Sequence, residues 1–169
     1  MSRASEKTKT VTLGPGHELL RLDNQLCFAL YAATRAITKT YRQKLGVMAI
    51  TYPQFLVLMV LWETDGITIS EIGRRLMLDS GTLSPLFKRL EGLKLIDRAR
   101  GKEDERQVLI WLSQKGMDLQ DMALDARRFV ACRLDMSEPE IMALRAELMD
   151  IVSQLGKECA EVPAEAVEN

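Results

Sequence analysis

The chain has 169 residues, of which 47% are hydrophobic and 28% charged, enough apolar material for one domain with its own core. The 23 Lys and Arg residues nearly balance the 24 Asp and Glu residues, which excludes a protein that is basic throughout. No apolar run reaches the roughly 18 residues of a membrane span, and the N-terminus is polar. We therefore expect a cytoplasmic protein with no membrane partner.

The cysteines are three in number and far apart, and the single histidine is His17. These spacings match neither a disulfide framework nor a zinc site, so we expect no metal and no cofactor. The thiols need another explanation.

The balanced total charge hides an asymmetry along the chain. Residues 74–102 contain eight basic and three acidic side chains, a net charge of 8 − 3 = +5. Residues 134–169 contain two basic and nine acidic side chains, a net charge of 2 − 9 = −7. Such charges often only keep helix faces solvated, but a cationic segment is also what a DNA-binding surface needs.

The N-terminal half begins with residues 1–17, whose composition predicts a disordered arm. From 19 to 45, apolar residues recur every three or four positions, which predicts a long helix that Gly46 ends. Residues 51–54 resemble an N-cap region, and they open a second, apolar helix over 55–63.

A third and a fourth helix follow. The third is predicted over 70–76, with its first residue as the cap, and the fourth runs from the turn at 79–81 to Gly92. Pro85 is awkward inside a helix because it lacks an N–H donor, so the local rule places the N-cap at Ser84.

After Gly92 the apolar period changes from helical to alternating. Residues 95–100 and 107–112 each suit a short strand, and the polar segment 101–106 suits a hairpin tip. Two final helices are predicted to begin at the caps Ser113 and Ser137.

Short helices followed by a hairpin, with long helices at both ends, are typical of a winged helix-turn-helix protein. We therefore predict a mainly α fold with a small β-hairpin. The DNA-reading module is placed at 51–112 and the dimerisation helices at 18–45 and 113–158. Together they form one domain, 18–159, and residues 160–169 form a flexible tail.

The candidate DNA contacts lie on the fourth helix and the hairpin. The helix can enter the major groove, and the hairpin's basic side chains can follow the phosphate backbone or enter the minor groove. At the tip, Asp104 can orient Arg106 through a charge-assisted hydrogen bond. The candidates are Ser80, Thr82, Lys88, Arg89, Arg98, Arg100, Lys102, Asp104 and Arg106.

Four segments together resemble the organic hydroperoxide resistance regulators of the MarR family, and the match runs from about residue 19 to 158. They are LDNQLCFALY at 22–31, ITYPQ at 50–54, LDSGTL at 78–83 and DERQV at 104–108. The Asp-x-Arg of the last segment is common to much of the MarR family. The DNQLCF run in the first is far narrower and points to the peroxide-sensing branch, of the two-cysteine type.

This resemblance implies a homodimeric repressor that binds palindromic operator DNA when reduced and releases it when Cys27 is oxidised by an organic hydroperoxide. It further implies that Tyr41 and Tyr52 of the neighbouring subunit hydrogen-bond the sensing thiol. Cys132 matches the resolving cysteine, which implies an intersubunit disulfide, whereas Cys159 has no counterpart.

The chemistry of Cys27 supports this interpretation. The thiol lies in the first turns of a helix, whose dipole favours the thiolate, and a thiolate attacks a peroxide O–O bond to give a sulfenic acid. The alternative is that Cys27 is an inert core cysteine and Tyr41 a core aromatic, as most such residues are.

Two other functions compete. A MarR-type repressor released by a small phenolic ligand would leave Cys27 incidental. A thiol peroxidase would use Cys27 catalytically, but the chain lacks a C-x-x-C pair and has no histidine near the thiol in sequence. We therefore predict a regulator and not an enzyme.

Overall fold

A computed structural model describes residues 13–100 and 107–156. This part of the chain forms two compact units that divide after Met117. The helices are α1 (Leu26–Leu45), α2 (Tyr52–Glu63), α3 (Ile69–Leu76), α4 (Ser80–Gly92), α5 (Gln114–Met117), α6 (Gln120–Leu134) and α7 (Glu138–Leu155). The strands are β1 (Ile67–Thr68), β2 (Ile96–Arg100) and β3 (Val108–Leu112). The predicted mainly α fold with a small hairpin is confirmed, and no helix within the described ranges is long and apolar enough to cross a membrane.

The first long helix starts later than predicted, at Leu26 and not near residue 19. Two short 3₁₀ turns, His17–Leu20 and Leu22–Asn24, precede it. The Asn24 side-chain amide donates to the Glu18 carbonyl at 2.8 Å. Such bonds from a side chain to nearby carbonyls compete with α-helical hydrogen bonds, which explains why α1 begins only at Leu26. Of the predicted disordered arm, residues 1–12 lie outside the described part of the chain.

The end of α1 at Leu45 agrees with the prediction, but the reason differs. Gly46 keeps a right-handed helical conformation, with φ −58°, and the left-handed residue of the connection is Ala49, with φ 55°. The chain then enters α2 through Thr51, whose N–H donates to the Gln54 side chain at 2.8 Å. This bond confirms the predicted cap region, and the helix begins within it, at Tyr52.

Two predicted caps are wrong. The N-cap of α3 is Thr68, whose hydroxyl accepts from the Glu71 N–H at 3.1 Å, so Ser70 lies inside the helix. The N-cap of α4 is Asp79 and not Ser84, so Pro85 lies within the helix. Because Pro85 has no N–H, one helical hydrogen bond is absent in the second turn of α4.

The core of the first unit is built around α2, which packs against α1, α3, α4 and β3. Its apolar side chains face several directions because neighbours surround it. Among the described residues, the largest fully buried side chains are Phe87, Leu45, Leu58, Leu61, Ile72, Leu83, Leu90, Leu95, Ile96, Ile110 and Val57.

The sheet is antiparallel with strand order β1-β3-β2. The hairpin strands confirm the prediction, with Ile96 opposite Leu112 and Arg100 opposite Val108. The predicted tip, 101–106, lies outside the described residues. Strand β1 was not predicted, because two residues carry too little periodicity to reveal it. Its position is set by pairing of Ile67 with Ile110.

The helix predicted from Ser113 is interrupted, since α5 ends at Met117 and α6 begins at Gln120. The predicted cap is present, because the Ser113 hydroxyl accepts from the Gly116 N–H at 3.0 Å. In the second unit, the predicted capping box of α7 is present. There the Ser137 N–H donates to the Glu140 carboxylate at 2.7 Å.

Candidate functional site

Helix α4 presents a polar face beside a buried apolar one. Leu83, Phe87 and Leu90 are buried, which turns the opposite side of the helix outward. All four predicted DNA contacts on α4 are exposed, namely Ser80, Thr82, Lys88 and Arg89. Side chains of this helix can therefore approach a DNA groove without disturbing the core.

Sequence reasoning missed two residues of the same face. Ser84 and Pro85 are exposed and precede Lys88 by four and three positions, so the three side chains are neighbours on the helix surface. Helical spacing from Lys88 was the signal that could have found them. Pro85 offers an apolar surface of the kind that contacts a thymine methyl.

The start of α4 is held by Asp79. Its carboxylate accepts from the Thr82 N–H at 2.8 Å and from the Thr82 hydroxyl at 2.9 Å. These bonds stabilise the carboxylate and hold the pKa of Asp79 below its usual range. Because the Thr82 hydroxyl donates to Asp79, its oxygen is left to act as a hydrogen-bond acceptor.

The turn between α3 and α4 is tight. The Leu78 N–H donates to the Gly73 carbonyl at 2.9 Å, and Met77 has a left-handed φ of 55°. A Cβ atom on Gly73 would lie 2.8 Å from the Leu78 carbonyl oxygen, so only glycine allows this approach. The turn fixes the angle between α3 and α4.

The predicted hairpin residues have different environments. The Arg98 Nε lies 3.1 Å from a Glu91 carboxylate oxygen, and its guanidinium lies 5.7 Å from the centre of the Phe87 ring. Arg98 therefore ties β2 to α4. Arg100 is exposed at the end of β2. Lys102, Asp104 and Arg106 lie outside the described residues.

Tyr41 and Tyr52, predicted to support the thiol, lie together. Their ring centres are 5.0 Å apart, and Phe55 lies 5.6 Å from Tyr41. Tyr41 is buried and Tyr52 half-buried. Burial raises the pKa of Tyr52, so its hydroxyl keeps its proton and remains a hydrogen-bond donor at neutral pH.

Cys27 is the second residue of α1 and is exposed, so it is not a core cysteine of its unit. It precedes Tyr41 by 14 positions on the same helix, which at 1.5 Å per residue places the two about 21 Å apart along the axis. A tyrosine side chain cannot span this distance. The two tyrosines can reach a Cys27 thiol only if it belongs to another copy of the chain.

Cys132 lies on α6, in the second unit, and is exposed. Cys159 lies outside the described residues. Within the described ranges, no three His, Cys, Asp or Glu side chains form a cluster that could hold a metal ion.

The geometry agrees with comparisons to known proteins. The family described as "Transcriptional regulator SarA/Rot" matches residues 39–122. The chain is 47% identical to the HTH-type transcriptional regulator TtmR of Methylorubrum extorquens (strain PA1), over 72% of this chain and 70% of that protein. It is 42% identical to the organic hydroperoxide resistance transcriptional regulator of Bacillus subtilis (strain 168), over 80% of this chain and 92% of that protein.

Among solved structures, AbfR of Staphylococcus epidermidis is 37% identical, with a TM-score of 0.68 over 82% of this chain and 96% of that one. Reduced AbfR bound to DNA gives a TM-score of 0.69 over the same fractions, at 37% identity. Disulfide-formed AbfR gives 0.58 over 80% of this chain and 96% of that one, at 36% identity.

The helix-turn-helix formed by α3 and α4, the wing formed by the β2–β3 hairpin, and the exposed face of α4 define a winged-helix regulator of transcription. The chain belongs to the MarR/SarA-type family of these regulators. Its relatives are named transcriptional regulators, so the prediction that the protein is not an enzyme is confirmed.

Proposed function

We propose that the protein is a homodimeric repressor that binds palindromic operator DNA when reduced and releases it when an organic hydroperoxide oxidises Cys27. The observation that carries this proposal is the pairing of an exposed thiol at the start of α1 with two contacting tyrosines that it can meet only in a second copy. The identity to a regulator named for organic hydroperoxide resistance supports the choice of oxidant.

DNA is the proposed partner because α4 and the wing present basic and hydrogen-bonding side chains on an exposed face. A relative with 37% identity, AbfR, is bound to DNA in its reduced form, which supports the same partner here. Two copies related by a two-fold axis would place two α4 helices at two half-sites of a palindrome. Because its target is the chromosome, we expect the protein in the cytoplasm.

A second copy is proposed because both ends of the described chain expose large apolar side chains. Before and at the start of α1, Leu19, Leu22 and Leu26 are 76%, 57% and 60% exposed. In α7, Met142 is 52% and Leu155 81% exposed. Apolar surface of this extent is usually covered by a partner, and two-fold pairing of identical chains would bury each patch twice.

The first chemical step uses the Cys27 thiolate as nucleophile. Its sulfur attacks the distal oxygen of the hydroperoxide, an S–O bond forms, and the O–O bond breaks. Sulfur is oxidised to a sulfenic acid, and the peroxide leaves as an alkoxide that takes a proton to become an alcohol. Tyr52 of the other copy, which keeps its proton, donates a hydrogen bond to the thiolate.

The second step joins the sulfenic acid to Cys132 of the partner subunit. An S–S bond forms and the sulfenic oxygen leaves as water with the Cys132 thiol proton. A disulfide requires Cα atoms within about 7 Å, so if the reduced thiols start farther apart the helices must move and take the α4 pair out of register. The lower TM-score of the chain against disulfide-formed AbfR is consistent with such a change.

A gel shift tests the proposal. Duplexes selected from a random library by the reduced protein serve as the probe, before and after cumene hydroperoxide and again after dithiothreitol. We expect wild-type protein to release DNA on oxidation and to rebind it on reduction, whereas Cys27→Ser stays bound throughout. On a non-reducing gel, Cys132→Ser should form no intersubunit disulfide, and Cys159→Ser, the matched control, should behave as wild type.

Release of DNA from oxidised Cys27→Ser would refute the sensor assignment. Release by a phenolic compound that is indifferent to dithiothreitol would support the ligand-responsive repressor instead.

A further inference from the structure

Both arginines of α3 are held in ion pairs. The Arg74 guanidinium makes two parallel contacts with the Glu71 carboxylate, from Nε to Oε2 at 2.9 Å and from Nη2 to Oε1 at 2.6 Å. Arg75 is paired with Glu63 of α2, and its side chain is only 26% exposed. Arg75 therefore ties α3 to α2, whereas both partners of the Arg74–Glu71 pair belong to α3.

The Arg74–Glu71 pair is open to solvent. The side chain of Arg74 is 73% exposed and that of Glu71 is 38% exposed. The hydrogen bonds from Arg74 hold the pKa of the Glu71 carboxyl below its usual range, so Glu71 is charged at neutral pH. An ion pair this exposed contributes little to the stability of a fold. Its effect is to neutralise the positive charge of an accessible arginine.

The position of α3 makes this neutralisation important for DNA binding. Helix α3 is the first helix of the helix-turn-helix, and in such modules the first helix crosses the DNA backbone while the second lies in the major groove. An unpaired arginine on α3 would neutralise a phosphate whatever the base sequence. By contrast, Lys88 and Arg89 of α4 take part in no ion pair among the described residues. The cations are therefore unpaired on α4 and paired on α3.

We propose that Glu71 is a positioning residue that determines the specificity of DNA binding, because it holds Arg74 in an ion pair and keeps α3 from binding phosphates independently of sequence. The inference rests on the proposed function only in that DNA is the partner, and it does not depend on the thiol chemistry.

The pair affects two kinds of complex differently. In a sequence-independent complex the protein settles wherever an unpaired cation meets a phosphate. In the operator complex α4 fixes the position of the module, and the tight turn between Gly73 and Leu78 fixes α3 with it. An unpaired Arg74 therefore strengthens sequence-independent binding more than operator binding, and the ratio of the two affinities falls.

The test uses the reduced full-length protein and two duplexes, one selected by the protein from a random library and one of scrambled sequence. Glu71→Gln removes the negative charge and keeps the size of the side chain. At about 0.1 M salt we expect its affinity for the scrambled duplex to rise on the order of tenfold. The slope of the logarithm of that affinity against the logarithm of salt concentration should steepen by about 0.9 for each Arg74 that gains a phosphate. Affinity for the selected duplex should rise less than about threefold, because α4 fixes the register there.

Two further variants are the controls. Glu71→Gln/Arg74→Gln removes both charges and should return to the wild-type affinity and salt slope for the scrambled duplex. Asp125→Asn removes an acidic partner from the exposed Arg128, at the same spacing of three residues but on α6, outside the helix-turn-helix. It should leave both affinities unchanged, which separates the effect of Arg74 from that of net charge. Thermal unfolding verifies that each variant is folded.

Retention on immobilised heparin is a second measurement and requires no operator, because heparin is a polyanion without base sequence. We expect Glu71→Gln to elute at higher salt than wild type. Glu71→Gln/Arg74→Gln should elute with the wild type.

Unchanged binding of Glu71→Gln to the scrambled duplex would overturn the inference. An equal gain for both duplexes would also overturn it, since Glu71 would then limit affinity and not specificity. A gain that persists in Glu71→Gln/Arg74→Gln would exclude Arg74 as the cause. Weaker binding to the selected duplex alone would show that Glu71 orients Arg74 toward a phosphate, and the inference is wrong.

The proposed function fails by different results. If the reduced wild-type protein selects no duplex, or if oxidation of Cys27 releases none, the proposed function is overturned. The scrambled duplex and the heparin column still decide whether Glu71 withholds Arg74 from phosphates.

Discussion

The predicted DNA contacts are of two kinds. Some side chains are exposed and can bind a DNA phosphate, whereas others already contact neighbouring side chains of the protein. Lys88 is exposed on α4. Arg98 is paired with Glu91 and lies over the Phe87 ring, and its side chain is only 30% exposed. A basic residue of the cationic segment can therefore hold β2 against α4 instead of neutralising a DNA phosphate.

We expect Arg98→Gln to weaken DNA binding two- to fivefold, since a partly exposed ion pair contributes about 0.5–1 kcal/mol to holding β2 against α4. The slope of the logarithm of the binding constant against the logarithm of salt concentration should not change. Lys88→Gln, the comparison variant, should reduce that slope by about 0.9, the value for one lost phosphate contact. Titrations at four or more salt concentrations measure both quantities, and a slope change in Arg98→Gln would identify Arg98 as a phosphate contact.

At the level of elements, α4 depends on a cap that titrates. The Asp79 carboxylate receives two hydrogen bonds from Thr82, and its pKa is lowered in the folded protein. A carboxyl group whose pKa is lower in the folded than in the unfolded state stabilises the fold above its unfolded pKa, near 4. This stability is lost as the pH falls through the folded pKa.

Asp79→Asn keeps a good N-cap but removes the titrating group. We therefore expect the variant to match wild type near pH 7 and to lose less free energy of unfolding between pH 5 and pH 2. Urea denaturation across this range, followed by circular dichroism, provides the comparison. Parallel pH profiles for the two proteins would show that the Asp79 cap does not couple to folding.

For the whole molecule, the exposed apolar residues before and within α1 and α7 determine the expected assembly. Leu26, the first residue of α1 and the neighbour of Cys27, is 60% exposed. Burying a leucine side chain contributes about 1.5–3 kcal/mol to the free energy of association. In a two-fold interface the same leucine is buried in both copies, so the contribution enters twice.

We expect the wild-type protein to be a dimer by analytical ultracentrifugation and Leu26→Glu to weaken its dimer at least a hundredfold. Val47→Glu, at a site 75% exposed in the α1–α2 connection, is the matched surface control and should leave the dimer intact. A monomeric wild type at micromolar concentration would contradict both the assembly and the intersubunit thiol site.

Prediction from sequence succeeded where the interactions are local. The C-terminal ends of α1 and α4, the cap of α7 and the two hairpin strands follow from apolar spacing and from caps that act over three or four residues. It failed where two local signals competed. Thr68 and Ser70 can both cap a helix, and the choice of Thr68 coincides with its pairing in the sheet with Leu109, 41 residues later.

The sequence by itself determined most of the helices, the two hairpin strands, the cationic segment and the motif around Cys27, because periodicity, charge and motif can be read along the chain. Only the tertiary structure decided that Arg98 is paired with Glu91, that Tyr41 contacts Tyr52, and that Arg75 is paired with Glu63. These contacts join different elements of the fold. Their geometry depends on how the elements pack, which no local pattern specifies.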